Sequence, residues 1–318
     1  MKHYTSLKDI TDLPTLITQA RELKVAPRAF EQVGKGKTLG LLFFNNSLRT
    51  RLSTQKAAIH LGLDVIVMNF NQEGWLLEFE DGTVMDQGKA EHVKEAAKVM
   101  AQYCDIIGIR AFATLTDKKA DEEEQVLSAF KKYAGIPVIN LESALGHPLQ
   151  ALADAITITE NTLKTKPKVV LSWAPHPKAL PHAVANSFIE MMQLQKVDLT
   201  ITHPKGYELN PEITKNIPVV HNQEEALQNA DFVYVKNWSS YTDYGQVTNT
   251  DTNWMMTKEK LGNAKFMHCL PVRRNVVVED AVLDGEQSLT MEQVNNRTFA
   301  AQVVLKKIIE SQNTSTHE

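Results

Sequence analysis

Cysteine is nearly absent: Cys104 and Cys269 are the only two in 318 residues. Two thiols make no disulfide framework and suit a reducing compartment, so a cytoplasmic location is expected. No apolar run approaches the roughly 18 residues that a membrane span needs. The opening stretch Met1-Lys2-His3-Tyr4-Thr5-Ser6-Leu7-Lys8-Asp9 has no apolar core of a secretory signal. A net charge of −4 gives no electrostatic footprint for nucleic acid or an anionic membrane surface. No His/Cys cluster has zinc spacing and no Gly-x-Gly-x-x-Gly follows an apolar run, so nothing calls for a metal or an organic cofactor. Gly34-Lys35-Gly36-Lys37-Thr38 imitates the end of a P-loop, but position 31 is Glu where that loop needs Gly, and the stretch precedes a strand pattern rather than following one. Internal repeats are absent. The acidic run Asp121-Glu122-Glu123-Glu124 is expected to be a solvated helix start.

What is present is alternation. With 43% hydrophobic and 23% charged residues, the composition is that of a globular protein long enough for two domains. Short, nearly continuous apolar runs predict strands at Thr38–Phe44, Asp64–Phe70, Ile106–Arg110, Val138–Asn140, Lys168–Trp173, Val197–Thr202, Phe232–Lys236 and Lys265–Cys269. Between them, helical periodicity predicts helices such as Leu52–Leu61, His92–Gln102, Asp121–Tyr133, Ala183–Gln193 and Gln223–Gln228. This is an α/β pattern of parallel sheets covered on both faces, in two doubly wound units. The boundary is expected between 147 and 148, where a helix beginning at Leu149 could bridge the units, and Thr290–Gln312 is expected as a closing helix.

The most informative stretch is Phe43-Phe44-Asn45-Asn46-Ser47-Leu48-Arg49-Thr50-Arg51. An apolar strand, a short turn and a helix start place unpaired backbone N–H groups and a positive dipole end beside Ser47, Thr50 and Arg49. That combination makes an oxyanion site, with phosphate its usual occupant. The bland alternative is a serine helix cap followed by two solvated arginines. Arg110 closes an apolar strand, where a charge must meet a partner or a ligand. His147 precedes Pro148 just ahead of a helix, and Gln150 follows one turn later, so both side chains can address one ligand.

Three segments in this order, Ser47-Leu48-Arg49-Thr50-Arg51, His147-Pro148-Leu149-Gln150 and His268-Cys269-Leu270-Pro271, resemble the aspartate/ornithine carbamoyltransferase family. The likeness extends over nearly the whole chain. It implies a carbamoyl phosphate-binding domain at 1–147, a second domain at 148–289 for the amine substrate, and a helix within 290–318 that packs back on the first domain. It assigns Ser47, Leu48, Arg49, Thr50 and Arg297 to the phosphate, and Arg110, His147 and Thr50 to polarising the carbonyl. Cys269 and Leu270 would accept the carbamoyl NH2 through backbone carbonyls, and Gln150 would meet the same group. A nucleophilic Cys269 finds no activating base in the sequence. Trp75 would reach into a neighbouring subunit of a homotrimer. Carbamoyl phosphate and an amino-acid-derived amine are the implied small-molecule partners.

The amine is read from departures. The Ser-Met-Gly loop of ornithine enzymes is missing, and its region reads Lys236-Asn237-Trp238-Ser239-Ser240-Tyr241-Thr242. The basic loop of aspartate enzymes is replaced by Asn71-Gln72-Glu73-Gly74-Trp75. The loop Trp173-Ala174-Pro175-His176-Pro177-Lys178-Ala179-Leu180-Pro181 instead resembles the N-acylornithine branch, where the chain is threaded into a knot. In that branch Glu142, His176, Lys236, Leu270 and Arg273 would hold the acylornithine. Acetylornithine enzymes carry a Glu where this chain has Ala90, and a Lys in the segment where it has Val277. A small side chain at 90 admits a second carboxylate that a Glu would repel. Succinyl is therefore the expected cap, with acetyl the alternative, followed by plain ornithine or a non-catalytic regulatory homologue.

Overall fold

The apolar runs form parallel strands because their near-continuous Leu, Ile and Val content leaves no polar face to turn to solvent. The computed structural model describes residues 1–237 and 240–315. Trp238 and Ser239 of the 236–242 segment, and the last three residues of the 290–318 segment, lie outside the described residues. The chain divides into two compact units. The first comprises Met1–Ala113, Lys119–Leu149 and Arg297–Glu318, and the second Thr114–Lys118 and Gln150–Asn296. The division therefore falls inside the helix Pro148–Glu160.

The sheet of the first unit has Asp64–Asn69 at one edge, then Thr38–Phe43, Ile106–Arg110 and Val138–Glu142, all parallel. Leu42, Ile107, Ile109 and Val138 pack against Val93, Ala96 and Ala97 of the helix Val93–Tyr103 and against Leu127 and Phe130 of the helix Gln125–Tyr133. The C-terminal helix Thr290–Ser315 returns to this unit: Gln302 donates to the Pro27 carbonyl at 2.6 Å, and its amide oxygen lies 3.2 Å from His60 Nδ1. The second unit has a five-stranded parallel sheet ordered Lys265–Met267, Phe232–Lys236, Lys168–Trp173, Asp198–Thr202 and Val219–Val220. Its core gathers Val170, Val233, Val235, Leu261, Phe266 and Val277. Among the described residues, no helix is long and apolar enough to cross a membrane.

Several boundaries differ from expectation for identifiable reasons. The second strand stops at Asn69 because Phe70 opens a short helix, whose Glu73 carboxylate accepts the Asn69 N–H at 2.8 Å. The strand at Val138 continues to Glu142, while the last strand ends at Met267 and leaves Cys269 in a loop. The acidic run is not a solvated helix start. It straddles a break between the helices Lys118–Glu122 and Gln125–Tyr133, with Glu124 at φ 47°, Asp121 buried, and the Glu124 carboxylate accepting the Leu145 N–H at 2.9 Å. Two short strand pairings were not foreseen. Val219–Val220 lies at a sheet edge, and Leu77–Glu78 pairs with Glu91–His92, each too short for periodicity to register.

Candidate active site

In an open parallel sheet the carboxyl ends of the strands, near the point where strand order reverses, are where side chains can converge on a ligand. Phe43 and Arg110 are register partners at those ends, and Arg110 stands opposite Glu142 through an irregularity between Ile109 and Arg110. Such a bulge re-aims a side chain. The Arg110 guanidinium lies 3.2 Å from a Glu142 carboxylate oxygen and over the Phe112 ring at 4.3 Å. The same Glu142 oxygen is 3.5 Å from His147 Nε2, which is 3.3 Å from Arg297 Nη2. Arg297 also donates to the Thr50 hydroxyl, and Arg110 Nη1 reaches that hydroxyl at 3.5 Å. Residues far apart in sequence thus meet around Thr50, and all of Thr50, Arg110, Glu142, His147 and Arg297 are buried.

Charge dominates this cluster. Burial pushes the His147 pKa well below its ordinary value, and Arg297, Arg110 and Arg49 push it the same way, so the imidazole is neutral. Glu142 is the carboxylate paired within the cluster, with Arg110. The turn before the helix Arg49–His60 settles the capping question: Leu48 takes the cap position and no side chain caps the helix, so Ser47 is not used up as a cap. Ser47 and Arg49 are partly buried, Leu48 is exposed, and Arg49 Nε is buried without a hydrogen-bond partner.

Trp75 and Ala90 lie apart in sequence but are brought together by the short pairing of Leu77–Glu78 with Glu91–His92. The Ala90 N–H donates to the Leu76 carbonyl at 3.2 Å, and the Trp75 indole donates to Glu91 at 2.9 Å. Both side chains are exposed, Trp75 at 58%.

The second unit holds the other candidates. Arg273 Nε donates to His176 Nε2 at 3.2 Å, while His176 Nδ1 lies 2.7 Å from the Lys178 carbonyl. Burial is the main cause lowering the His176 pKa, with Arg273 and Lys236 adding to it. His176 is therefore a neutral acceptor that orients Arg273 rather than a second positive charge. Lys236 ends its strand, buried, in register with Trp173. Val277 is 1% exposed inside the apolar core, so its side chain lines no binding surface of this unit. Leu270 adopts φ 55°, a left-handed backbone uncommon for a bulky side chain and typical of ligand clamps. Its N–H donates to His268 Nδ1 at 2.8 Å.

Sequence reasoning missed Asp154, fully buried, which accepts from Gln150 Nε2 at 2.8 Å and Gln293 Nε2 at 2.7 Å. The signal was available: an Asp four residues after Gln150 shares its helix face, in the mostly apolar stretch 149–158. Tyr234, whose hydroxyl burial and the neighbouring Asp154 and Cys269 keep protonated, carried no such signal in its strand.

Residues 2–160 match the carbamoyl-P binding domain of aspartate/ornithine carbamoyltransferase, and residues 181–308 its Asp/Orn binding domain. An N-succinylornithine carbamoyltransferase of Bacteroides thetaiotaomicron is 48% identical over 98% of this chain and 99% of its own. An N-acetylornithine carbamoyltransferase of Xanthomonas campestris is 34% identical over 97% and 98%. Acetylornithine transcarbamylase solved with acetylcitrulline superposes with a TM-score of 0.91 at 34% identity, covering 97% of this chain and 99% of that one. A glutamate-to-alanine variant of N-acetyl-L-ornithine transcarbamylase, solved with carbamyl phosphate and N-succinyl-L-norvaline, gives 0.90 at 34% identity, covering 97% and 100%. With both domains matched and relatives this similar along nearly their whole length, the chain belongs to the aspartate/ornithine carbamoyltransferase family.

Proposed function

We propose that this protein transfers the carbamoyl group of carbamoyl phosphate to the side-chain amine of N2-succinyl-L-ornithine, giving N-succinyl-L-citrulline and phosphate in arginine biosynthesis. The observation that carries the reading is the buried meeting of Arg110, Arg297 and neutral His147 around the Thr50 hydroxyl, beside an uncapped helix start. Guanidiniums and free backbone N–H groups suit a phosphate dianion. A neutral imidazole and the Arg110 guanidinium suit a carbonyl oxygen on which negative charge grows.

In this reading Ser47, Leu48, Arg49, Thr50 and Arg297 hold the phosphate, and Arg110, His147 and Thr50 polarise the carbonyl. Gln150 and the carbonyls of Cys269 and Leu270 receive the carbamoyl NH2. The neutral amine attacks the carbonyl carbon, forming the C–N bond. The C–O bond to phosphate then breaks, and phosphate leaves with the amine proton. Donors aimed at the carbonyl oxygen stabilise the tetrahedral state more than the ground state, which is where the rate arises. No covalent intermediate on the protein is needed.

Lys236 and Arg273, the latter oriented by His176, suit the two carboxylates of succinylornithine, and Ala90 leaves room for the cap. Glu142, which lies against Arg110, serves as a partner for the incoming amine or amide N–H. Support for the succinyl cap comes from the 48% identical Bacteroides relative and from the glutamate-to-alanine variant that bound a succinyl compound. The second reading, N-acetylornithine as acceptor, has the 34% identical relatives behind it. Likeness to the N-acylornithine branch further suggests a knot at the Trp173–Pro181 loop, and a cytoplasmic homotrimer in which Trp75 serves a neighbouring subunit. Incubation of the purified protein with carbamoyl phosphate and succinylornithine should yield N-succinylcitrulline by mass spectrometry with one phosphate per product. Absence of that product, with the protein folded, contradicts the proposal.

A further inference from the structure

A carboxylate only accepts hydrogen bonds, so any amide against it must present nitrogen, never oxygen. Asp154, completely buried on the helix Pro148–Glu160, imposes this rule on two glutamines at once. One of its oxygens accepts from Gln150 Nε2 at 2.8 Å and from Gln293 Nε2 at 2.7 Å. Each amide plane is thereby fixed with its oxygen turned away from Asp154. For Gln293 the consequence is visible: its oxygen accepts the His268 N–H at 2.9 Å, at the head of the Cys269–Leu270 loop. The buried Tyr234 hydroxyl lies near both Asp154 and Cys269.

We propose that Asp154 is a positioning residue that turns the Gln150 amide oxygen toward the carbamoyl NH2, and so lets the protein tell carbamoyl phosphate from acyl phosphates with a methyl group in its place. The inference rests on the reading of carbamoyl phosphate as the donor substrate. Gln150 freed from Asp154 can turn over and present its own NH2. A donor then faces the ligand's donor, which weakens carbamoyl phosphate binding while leaving a methyl group nearly indifferent. Through Gln293 the same carboxylate holds the loop whose carbonyls at 269 and 270 complete the set of acceptors.

The test is titration calorimetry of the full-length protein with carbamoyl phosphate and with acetyl phosphate, without any amine present. The quantity read is the ratio of the two dissociation constants. Asp154→Val removes the acceptor and should lower the preference for carbamoyl phosphate about tenfold or more, mostly through weaker carbamoyl phosphate binding. Asp154→Asn keeps one oxygen able to accept from both glutamines and should stay within about threefold of the wild type. Asp154→Ser, too short to reach both amides, carries the same expectation as Asp154→Val and decides the matter if that variant does not fold. Combining either with Gln150→Met should produce no loss of preference beyond that of Gln150→Met alone, because both act through one oxygen. An unchanged ratio in Asp154→Val or Asp154→Ser, or equal weakening of both ligands, overturns the inference. A wild type that binds no carbamoyl phosphate contradicts the functional reading instead.

Discussion

Arg110 and Glu142 face each other across the ends of adjacent strands, guanidinium and carboxylate 3.2 Å apart and both about nine-tenths buried. The pair does more than satisfy a buried charge. Arg297 lies against the same His147 nitrogen as Glu142, and Arg49 also acts on that ring, so the Glu142 carboxylate stands among several guanidiniums. Removing one partner of such a buried pair leaves charge uncompensated and costs roughly 3–5 kcal/mol. Glu142→Gln should accordingly lower stability in urea by an amount of that order. Inorganic phosphate should then raise the melting temperature of the variant more than that of the wild type, because a dianion replaces the missing carboxylate. Equal shifts in both proteins would mean that phosphate binds elsewhere.

Arg49→Ala and Arg110→Ala should each lower kcat/KM about a hundredfold or more, since each removes a charge-assisted contact from a site with little water. Steady-state kinetics with carbamoyl phosphate as the varied substrate checks this. Near-normal turnover in either variant contradicts a carbamoyl phosphate site at these residues.

His147 gives a prediction about pH. Its folded pKa is depressed by burial and by three arginines, so the unfolded chain binds the proton more readily below the ordinary histidine value of 6.5. The stabilising contribution of the neutral ring is therefore complete above about pH 6.5 and is lost as pH falls toward the folded pKa. Other histidines with lowered values, such as His176 and His203, are shared by wild type and variant and cancel in the difference. Wild-type stability should fall more steeply than that of His147→Asn between pH 7 and pH 5.5, by at most about 1.4 kcal/mol per pH unit. Parallel curves would show that His147 takes up its proton as readily folded as unfolded.

Much of this arrangement was legible in the chain because strand runs and strand ends carry independent signals. Ile106–Arg110 announced both a buried strand and a charge at its end, and the structure shows that charge met by Glu142. The Ser47–Arg51 turn was legible from strand-to-helix punctuation. Pairings across sequence were not. Nothing local to Arg297 links it to Thr50, since that contact depends on a C-terminal helix returning to the first unit. Ala90 beside the Trp75 loop depends on strands of two residues each, shorter than any periodicity can reveal. The neutral state of His176 follows mainly from its burial, with the Arg273 guanidinium adding to it, and neither is written in the residues beside it in sequence.

Ala90→Glu addresses the acyl cap. In the proposed reading the new carboxylate faces the succinyl carboxylate and spares the shorter, uncharged acetyl group. Ala90 is exposed in the isolated chain, so solvent screening moderates the repulsion, and a shift of about tenfold or more in the kcat/KM ratio toward acetylornithine is expected. An unchanged ratio removes Ala90 from the specificity argument.

The most direct measurement is kcat/KM of the purified protein for succinylornithine, acetylornithine and ornithine under one saturating concentration of carbamoyl phosphate. Succinylornithine should be carbamoylated most efficiently, acetylornithine less, and ornithine hardly at all, because the free amino acid finds no Ser-Met-Gly loop to hold it. Preference for acetylornithine or ornithine, or no carbamoylation of any of the three by folded protein, would contradict the account.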